Sequence, residues 1–466
     1  MQSHAQKSPW IDTTIDDSAF IEDLRILSEY IDQNHGGTEQ YTTRQELEKL
    51  YRKLETQDGE ISLRDAYYSF AQYVDALKDG HTWIMPSQQH SEHLLHICRF
   101  IPFTIEVTGT EIYVDENFSN CHDLTSGTRI LEIDGLPTRE IVIQLLPYFT
   151  ADGKSLSGKL GGIEGQFWWY YGLHFGFPES HTVRFASVNG GIGETKVVSV
   201  YMHDMINDAS EIYCRYRTDP EETVTHRIYK ETGILNVSNF TEWSLSEYKK
   251  AFIAALDDFH EAECKRMIID VRGNGGGKEG VENLLLSCIA HTMYEKYDEV
   301  RIRNPIAPEY DHIKKRFYRK WEDRLYRAVE FRKNEEGEWL RRERFNRTFM
   351  DPEHRFEGDV FILIDRNVFS GASEFAALAA DYATNCTLVG EETCGGYQGH
   401  TSGYYYDLIL PNTGFIVHIP RIWFDLNVHR SDQGGVKPDI VLTKVPGLED
   451  KDVVLEYILS SPLTQR

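Results

Sequence analysis

The sequence predicts an α/β protein: a core of strands, loops and helices preceded by a helical region and a β-rich region. Two observations predict the core. The plan strand, loop, helix occurs in "RMIIDV", "RGNGGG", "VENLLLSCIA" and recurs in "DVFILID", "RNVFSG", "ASEFAALAADYA". Strands joined in this way form α/β sheets whose functional loops lie at strand C-terminal ends. A third observation sets the regions before the core apart, because the apolar period changes from helical to alternating near residue 100.

Residues 1–95 are expected to form an N-terminal helical subdomain. In "DDSAFIEDLRILSEYID" the apolar Phe20, Leu24, Leu27 and Ile31 share one helix face. "TRQELEKLYRKL" opens with Thr43 and Glu46 in capping-box spacing, and "SLRDAYYSFAQYVDAL" opens with Ser62 and Asp65 in the same spacing. Gly80 is expected to end the last of these helices, just before His81. Residues 96–225 read as a β-rich module, with a hairpin around Gly109 in "FTIEVTGTEIYV" and a strand, an Asp134-Gly135 turn and a helix in "GTRILEIDGLPTREIVIQLL". The second string resembles the carboxylate-binding-loop region of PDZ-like modules. Residues 226–466 hold the α/β core, ending in a hairpin turned by "PNTG". A charged insertion, 311–347, has thirteen Lys and Arg against eight Asp and Glu and reads as a solvated helical segment.

The chain has 466 residues and a formal net charge of −25, which argues against a nucleic-acid binder, since phosphate contacts need an excess of Lys and Arg. Small molecules or peptides are the expected partners. The longest apolar runs, such as "FILI", fall far short of the ~20 residues of a membrane helix, so no span is expected. "MQSHAQKSPWIDTT" lacks the apolar stretch of a secretory signal; a leader already removed would leave no trace, and the compartment stays open. The seven cysteines show no C-x-x-C pair and read as small buried apolar residues. Oligomeric state is not legible.

Three stretches could carry chemistry. The glycines of "DVRGNGGG" let backbone N–H groups point into one concavity, an anion or oxyanion site that is neither a P-loop nor G-x-G-x-x-G. "LKDGHTWIMP" places His81 just past a helix. In "NVFSGASEF", Ser373 suits a helix start, whereas Ser370 lies at the strand-to-helix corner, where its hydroxyl and the Gly371 N–H can face one cleft.

The ordered set "DGHT", "IIDVRGNGGG", "FSGASEFAALAADY", "LVGEETCGG" and "GGVKPDIVL" resembles the C-terminal-processing (tail-specific) serine peptidases over about residues 60–445. One branch of that family uses a Ser-Lys dyad, but Gly396 holds the lysine's place in "GEETCGGYQG". The other branch, resembling the tricorn core protease and the repeats of interphotoreceptor retinoid-binding protein, takes its base from the histidine of D-x-H-T, here His81. That branch carries an extra serine before the histidine, where this chain has Gly80. Family spacing selects Ser370 as nucleophile, five residues before Phe375 and eleven before Asp381; Glu374 follows it by four where three is common.

The resemblance implies a crotonase/ClpP-like α/β core and a serine endopeptidase acting on peptides or protein C-terminal tails. It also implies roles: Ser370 as nucleophile, His81 as base, Asp432 (six before Pro438) as the orienting acid, and Gly371, Gly275 and Gly276 as oxyanion donors. No metal or organic cofactor is required. The alternatives are a non-catalytic binding protein for a small apolar ligand or peptide on the same scaffold, and a crotonase-type enzyme acting on thioesters.

Overall fold

The computed structural model describes residues 10, 13–56, 59–205, 223–305, 325, 329–346, 354–430, 432–447 and 452–462. Residues 311–324, 326–328 and 347 of the charged insertion, and Cys214, lie outside these; in the described part Phe331–Lys333 and Trp339–Arg341 pair as antiparallel strands, which corrects the expected helical segment. Among the described residues no helix is long and apolar enough to cross a membrane.

Three helices begin the fold. α1 (Asp17–Asn34) buries Phe20, Leu24, Leu27 and Ile31, the face given by the apolar spacing. α2 (Arg44–Glu55) starts with both hydrogen bonds of the Thr43–Glu46 capping box, and α3 (Leu63–Asp75) starts with Ser62 accepting from the Asp65 N–H. α3 ends earlier than Gly80 suggests. The reversal falls at Lys78, a non-glycine residue at φ 55°, and Gly80 is needed for space instead: a Cβ there would stand 2.6 Å from the Phe369 ring.

An antiparallel sheet follows, in the order Ile192–Val198, Ser180–Ala186, Arg129–Ile133, Glu111–Asn117, Phe103–Thr108. Gly109 turns the first hairpin at φ 61°, and Asp134 and Gly135 both take positive φ, the geometry that favours Asp-Gly in a two-residue turn. The apolar core under this sheet is continuous with that of α1–α3 and includes Leu408, Phe415 and Val417 from far along the chain.

The core sheet has the order Val224–Tyr229, Thr232–Val237, Arg266–Asp270, Asp359–Ile364, Cys386–Gly390, Ile440–Val441, parallel after its first pair. Alternate residues of its central strands face two apolar layers. Met267, Ile269, Val360 and Ile362 pack with helices Leu245–Glu261, Val281–Ser287 and Gly371–Tyr382, while Ile268 and Leu363 pack with Val454 and Ile458 of the last helix. Burial on both faces explains why these strands read as apolar runs rather than as alternation.

What brings the N-terminal part to the core is a small third sheet. Trp83–Met85, directly after His81, pairs antiparallel with Ile416–Ile419, the second strand of the "PNTG" hairpin. The buried Asp23 of α1 locks the turn, accepting from the N–H groups of Asn412 and Thr413 and from the Thr413 hydroxyl. His81 is thereby held against a corner of the core 289 positions away.

Candidate active site

Both core loops singled out in the sequence meet at one end of the sheet. Strand Asp359–Ile364 runs through Asp365–Phe369 into Ser370, which precedes helix Gly371–Tyr382. Ser370 occupies φ 51°, ψ −130°, a conformation costing roughly 1–3 kcal/mol that is characteristic of functional corners. It sits at the N-cap position yet makes no capping hydrogen bond, so its hydroxyl points elsewhere. His81 Nε2 lies 3.2 Å from Ser370 Oγ. Ser373, by contrast, is buried and donates to the Val368 carbonyl at 3.0 Å.

The glycine loop packs directly behind Ser370. A Cβ on Gly276 would stand 2.7 Å from the Gly371 nitrogen and 2.8 Å from Ser370 Cβ, so only glycine fits. Its φ of 85° favours glycine as well. The three expected oxyanion donors are not equivalent. Gly371 and Gly275 have N–H groups with no partner among the described residues, whereas Gly276 donates its own to Asn274 Oδ1 at 2.8 Å. Asn274 is fixed in turn by donating to the Val237 carbonyl, so the Gly276 N–H, expected as an oxyanion donor, is already engaged. The Gly277 N–H, not singled out in the sequence, is also free of partners and lies 3.9 Å from where a Cβ on Gly371 would be.

Asp432 is not joined to His81. Its carboxylate accepts from the Gly434 N–H at 3.1 Å and from Lys437 Nζ at 2.7 Å, both close in sequence, and His81 Nδ1 is buried without a hydrogen-bond partner. The expected acid is captured by its own turn.

The His81 ring is enclosed by Phe369, whose centroid is 4.3 Å away, and His400, at 5.1 Å, both nearly parallel to it. Burial, then the charge of His400, lowers its pKa to about 3, so the ring is a neutral base at ordinary pH. His400 comes from strand Gly399–Ser402 and was not foreseen, since "QGHTSG" has no distinguishing spacing. Its Nε2 lies 2.8 Å from Glu374 Oε1. Burial works against its charge, but Glu374 outweighs burial and raises the pKa to about 9. Glu374 also meets Lys296 Nζ at 2.7 Å, and Lys296 meets Glu282 at 2.5 Å. These four groups form a buried ionic cluster beneath the nucleophile helix. Glu374 does more than start that helix.

A second cluster lies on the other side of His81. Carboxylate oxygens of Asp79 and Asp152 and a ring nitrogen of His81 fall within 4.8 Å of one another, close enough to contact a common ligand atom. Asp79 is held below the usual carboxylate range by His35 in spite of burial, while burial and then Asp79 push Asp152 up to about 7.

Comparison with known proteins agrees with this architecture. No curated protein matches the sequence. Among solved structures the chain is similar to mature CPAF, at 16% identity over 92% of this chain and 93% of that one, with a TM-score of 0.57. It is likewise similar to mature CPAF complexed with lactacystin (16% identity, 92% and 94% covered, TM-score 0.60) and to a CPAF mutant (15% identity, 96% and 99% covered, TM-score 0.62). At these identities the likeness speaks for the fold, over nearly the whole of both chains. The model of peptidase family S41 matches residues 231–442, which contain the glycine loop and Ser370 but not His81. The chain therefore carries, over residues 231–442, a domain of peptidase family S41, the serine-type peptidases that its motifs resemble.

Proposed function

We propose that the protein is a serine endopeptidase that cleaves peptides or protein tails through an acyl-enzyme, with Ser370 as nucleophile and His81 as general base. The observation that carries this reading is the 3.2 Å contact between His81 Nε2 and Ser370 Oγ. Ser370 Oγ attacks the peptide carbonyl carbon while its proton passes to Nε2. The carbonyl oxygen becomes an oxyanion facing the Gly371 and Gly275 N–H groups; losing one such donor typically costs about 3 kcal/mol in barrier. Collapse of the intermediate breaks the C–N bond, and His81 returns the proton to the leaving amine. Water then repeats the sequence on the ester and frees Ser370. Because Asp432 is held by Lys437, the reading rests on Ser370 and His81, and the orienting acid is a separate question.

A fluorophosphonate probe tests this. The expected result is one adduct, mapped to Ser370, lost in Ser370→Ala and strongly slowed in His81→Ala. A folded wild-type protein that takes no label, and leaves fluorescein-labelled casein uncut, favours the non-catalytic binding protein instead.

A further inference from the structure

The proposed chemistry leaves one buried atom unserved. For Nε2 of His81 to accept a proton, the proton of the neutral ring must sit on Nδ1, and Nδ1 is buried with no partner. An unmade buried donor costs roughly 1–3 kcal/mol, and more once the ring turns into imidazolium. The carboxylates of Asp79 and Asp152 lie within 4.8 Å of a ring nitrogen of His81.

Asp79 is already saturated. Its oxygens accept from His35 Nε2 at 2.7 Å, from the Thr401 hydroxyl at 2.5 Å, from the His81 N–H at 3.2 Å and from the Thr82 hydroxyl. Four donors fill the sites a carboxylate offers. Asp152, fully buried, accepts only the Gly80 N–H at 2.8 Å on one oxygen and the Gly396 N–H at 3.0 Å on the other. Each oxygen keeps room for a further donor.

Gly80 and Gly396 are also positions at which this chain departs from the family pattern. Gly80 stands where the tricorn-like branch has a serine, and Gly396 where the dyad branch has its lysine. A Cβ on Gly80 would lie 3.3 Å from Asp152 Oδ1, and one on Gly396 would lie 3.2 Å from Asp152 Cβ. Side chains at these positions would press on Asp152 as well as on Phe369 and Tyr41. The backbone around Asp152 is pinned as well, with its own N–H on the Cys394 carbonyl and the Gly153 N–H on the Lys78 carbonyl.

We infer that Asp152 is the positioning carboxylate of this active site, receiving the Nδ1–H of His81 directly or through one water, in the place the family pattern assigns to Asp432. The inference rests on the peptidase reading of Ser370 and His81. With a ring nitrogen within 4.8 Å of the Asp152 carboxylate, one water or a small ring rotation as substrate enters completes the contact.

The test compares Asp152→Asn with Asp432→Asn, reading kcat and KM on fluorescein-casein, fluorophosphonate labelling of Ser370, and melting temperature. Asp152→Asn is expected to lower kcat by about 10²–10⁴-fold with KM within about threefold, as when an orienting aspartate is removed from a triad. Asp432→Asn is expected to lower kcat less than about tenfold. Asp152→Asn that folds and keeps kcat within threefold overturns the inference, as does a larger loss in Asp432→Asn. If Asp152→Asn does not fold, the readout is the downfield Nδ1–H resonance of His81 in ¹⁵N-histidine-labelled protein, assigned by its absence in His81→Gln. Its persistence in Asp432→Asn supports Asp152, and its loss there overturns the inference. Wild-type protein that neither labels nor cleaves sinks the peptidase reading itself, a different failure from a labelled wild type with an indifferent Asp152.

Discussion

Two buried polar clusters flank His81, and they handle charge in opposite ways. On the core side, Glu282 and Glu374 are matched by Lys296 and by a His400 whose pKa is raised to about 9, two anions against two cations. On the N-terminal side, Asp79 and Asp152 face His35 and a His81 whose pKa is lowered to about 3, and Asp152 has only backbone N–H groups for company. The first cluster is electrically closed over the working range of pH. In the second, burial and then Asp79 push Asp152 up to about 7, with only backbone N–H groups to offset them. A charge-matched floor thus lies beneath the serine and a charge-poor wall behind the histidine.

The most damaging way to break this contrast is to remove the cation of the closed cluster. Lys296→Met leaves Glu282 and Glu374 buried with His400 alone, and breaking a buried pair from one side typically costs 3–5 kcal/mol. The urea midpoint should fall accordingly, and the nucleophile helix that Glu374 anchors should loosen with it. An unchanged midpoint would mean the cluster is not an ionic floor at all.

The pH dependence of stability separates the two clusters by sign. His400 has its folded pKa raised, so its contribution is complete below about 6.5 and is lost as pH climbs through 9. His81 has its folded pKa lowered, so its contribution is complete above about 6.5 and is lost as pH falls toward 3. Asp152, raised to about 7, contributes fully below about 4 and loses that contribution as pH rises through 7, opposing His81 between those limits. Urea midpoints at pH 5, 7 and 9 read these slopes, each at most about 1.4 kcal/mol per pH unit. In His400→Gln the decline from pH 7 to 9 should flatten. In His81→Gln the alkaline decline should remain, while the gain on acidification steepens because His81 no longer opposes Asp152. An alkaline decline undiminished in His400→Gln would contradict the closed cluster.

How far each cluster could be read from the sequence follows from the range of its contacts. That Ser370 and His81 meet was legible because a strand-to-helix corner and a D-x-H-T motif are local patterns that the fold carries intact. Asp432 was legible as a position but not as a partner, since a lysine five residues on takes its carboxylate. Lys296 and Glu374 lie 78 positions apart and neither has a local signal, so their pairing emerges only when strand Tyr297–Ile302 folds beneath the nucleophile helix. Asp152, in "FTADGKS", reads as an ordinary loop acid. Nothing in its neighbours announces that the N–H groups of Gly80 and Gly396 will meet its carboxylate. The fold's strands and caps were legible for the converse reason, since apolar period and capping spacing report on the nearest turn of chain.

The smallest effect sharpens the distinction between the two serines of "NVFSGASEF". Ser373 Oγ donates to the Val368 carbonyl, which also accepts from the N–H groups of Cys394 and Gly395. Removing the hydroxyl therefore orphans no acceptor, and Ser373→Ala should cost only about 1 kcal/mol, the net worth of one ordinary hydrogen bond. Ser370 Oγ has His81 as its partner and no capping role, so its reactivity does not depend on Ser373. Fluorophosphonate labelling of Ser373→Ala should proceed within about twofold of the wild-type rate, the change an indirect loss of ~0.4 kcal/mol would give. A folded Ser373→Ala that no longer labels would move the nucleophile three residues along the chain and dissolve the pairing with His81 on which both clusters depend.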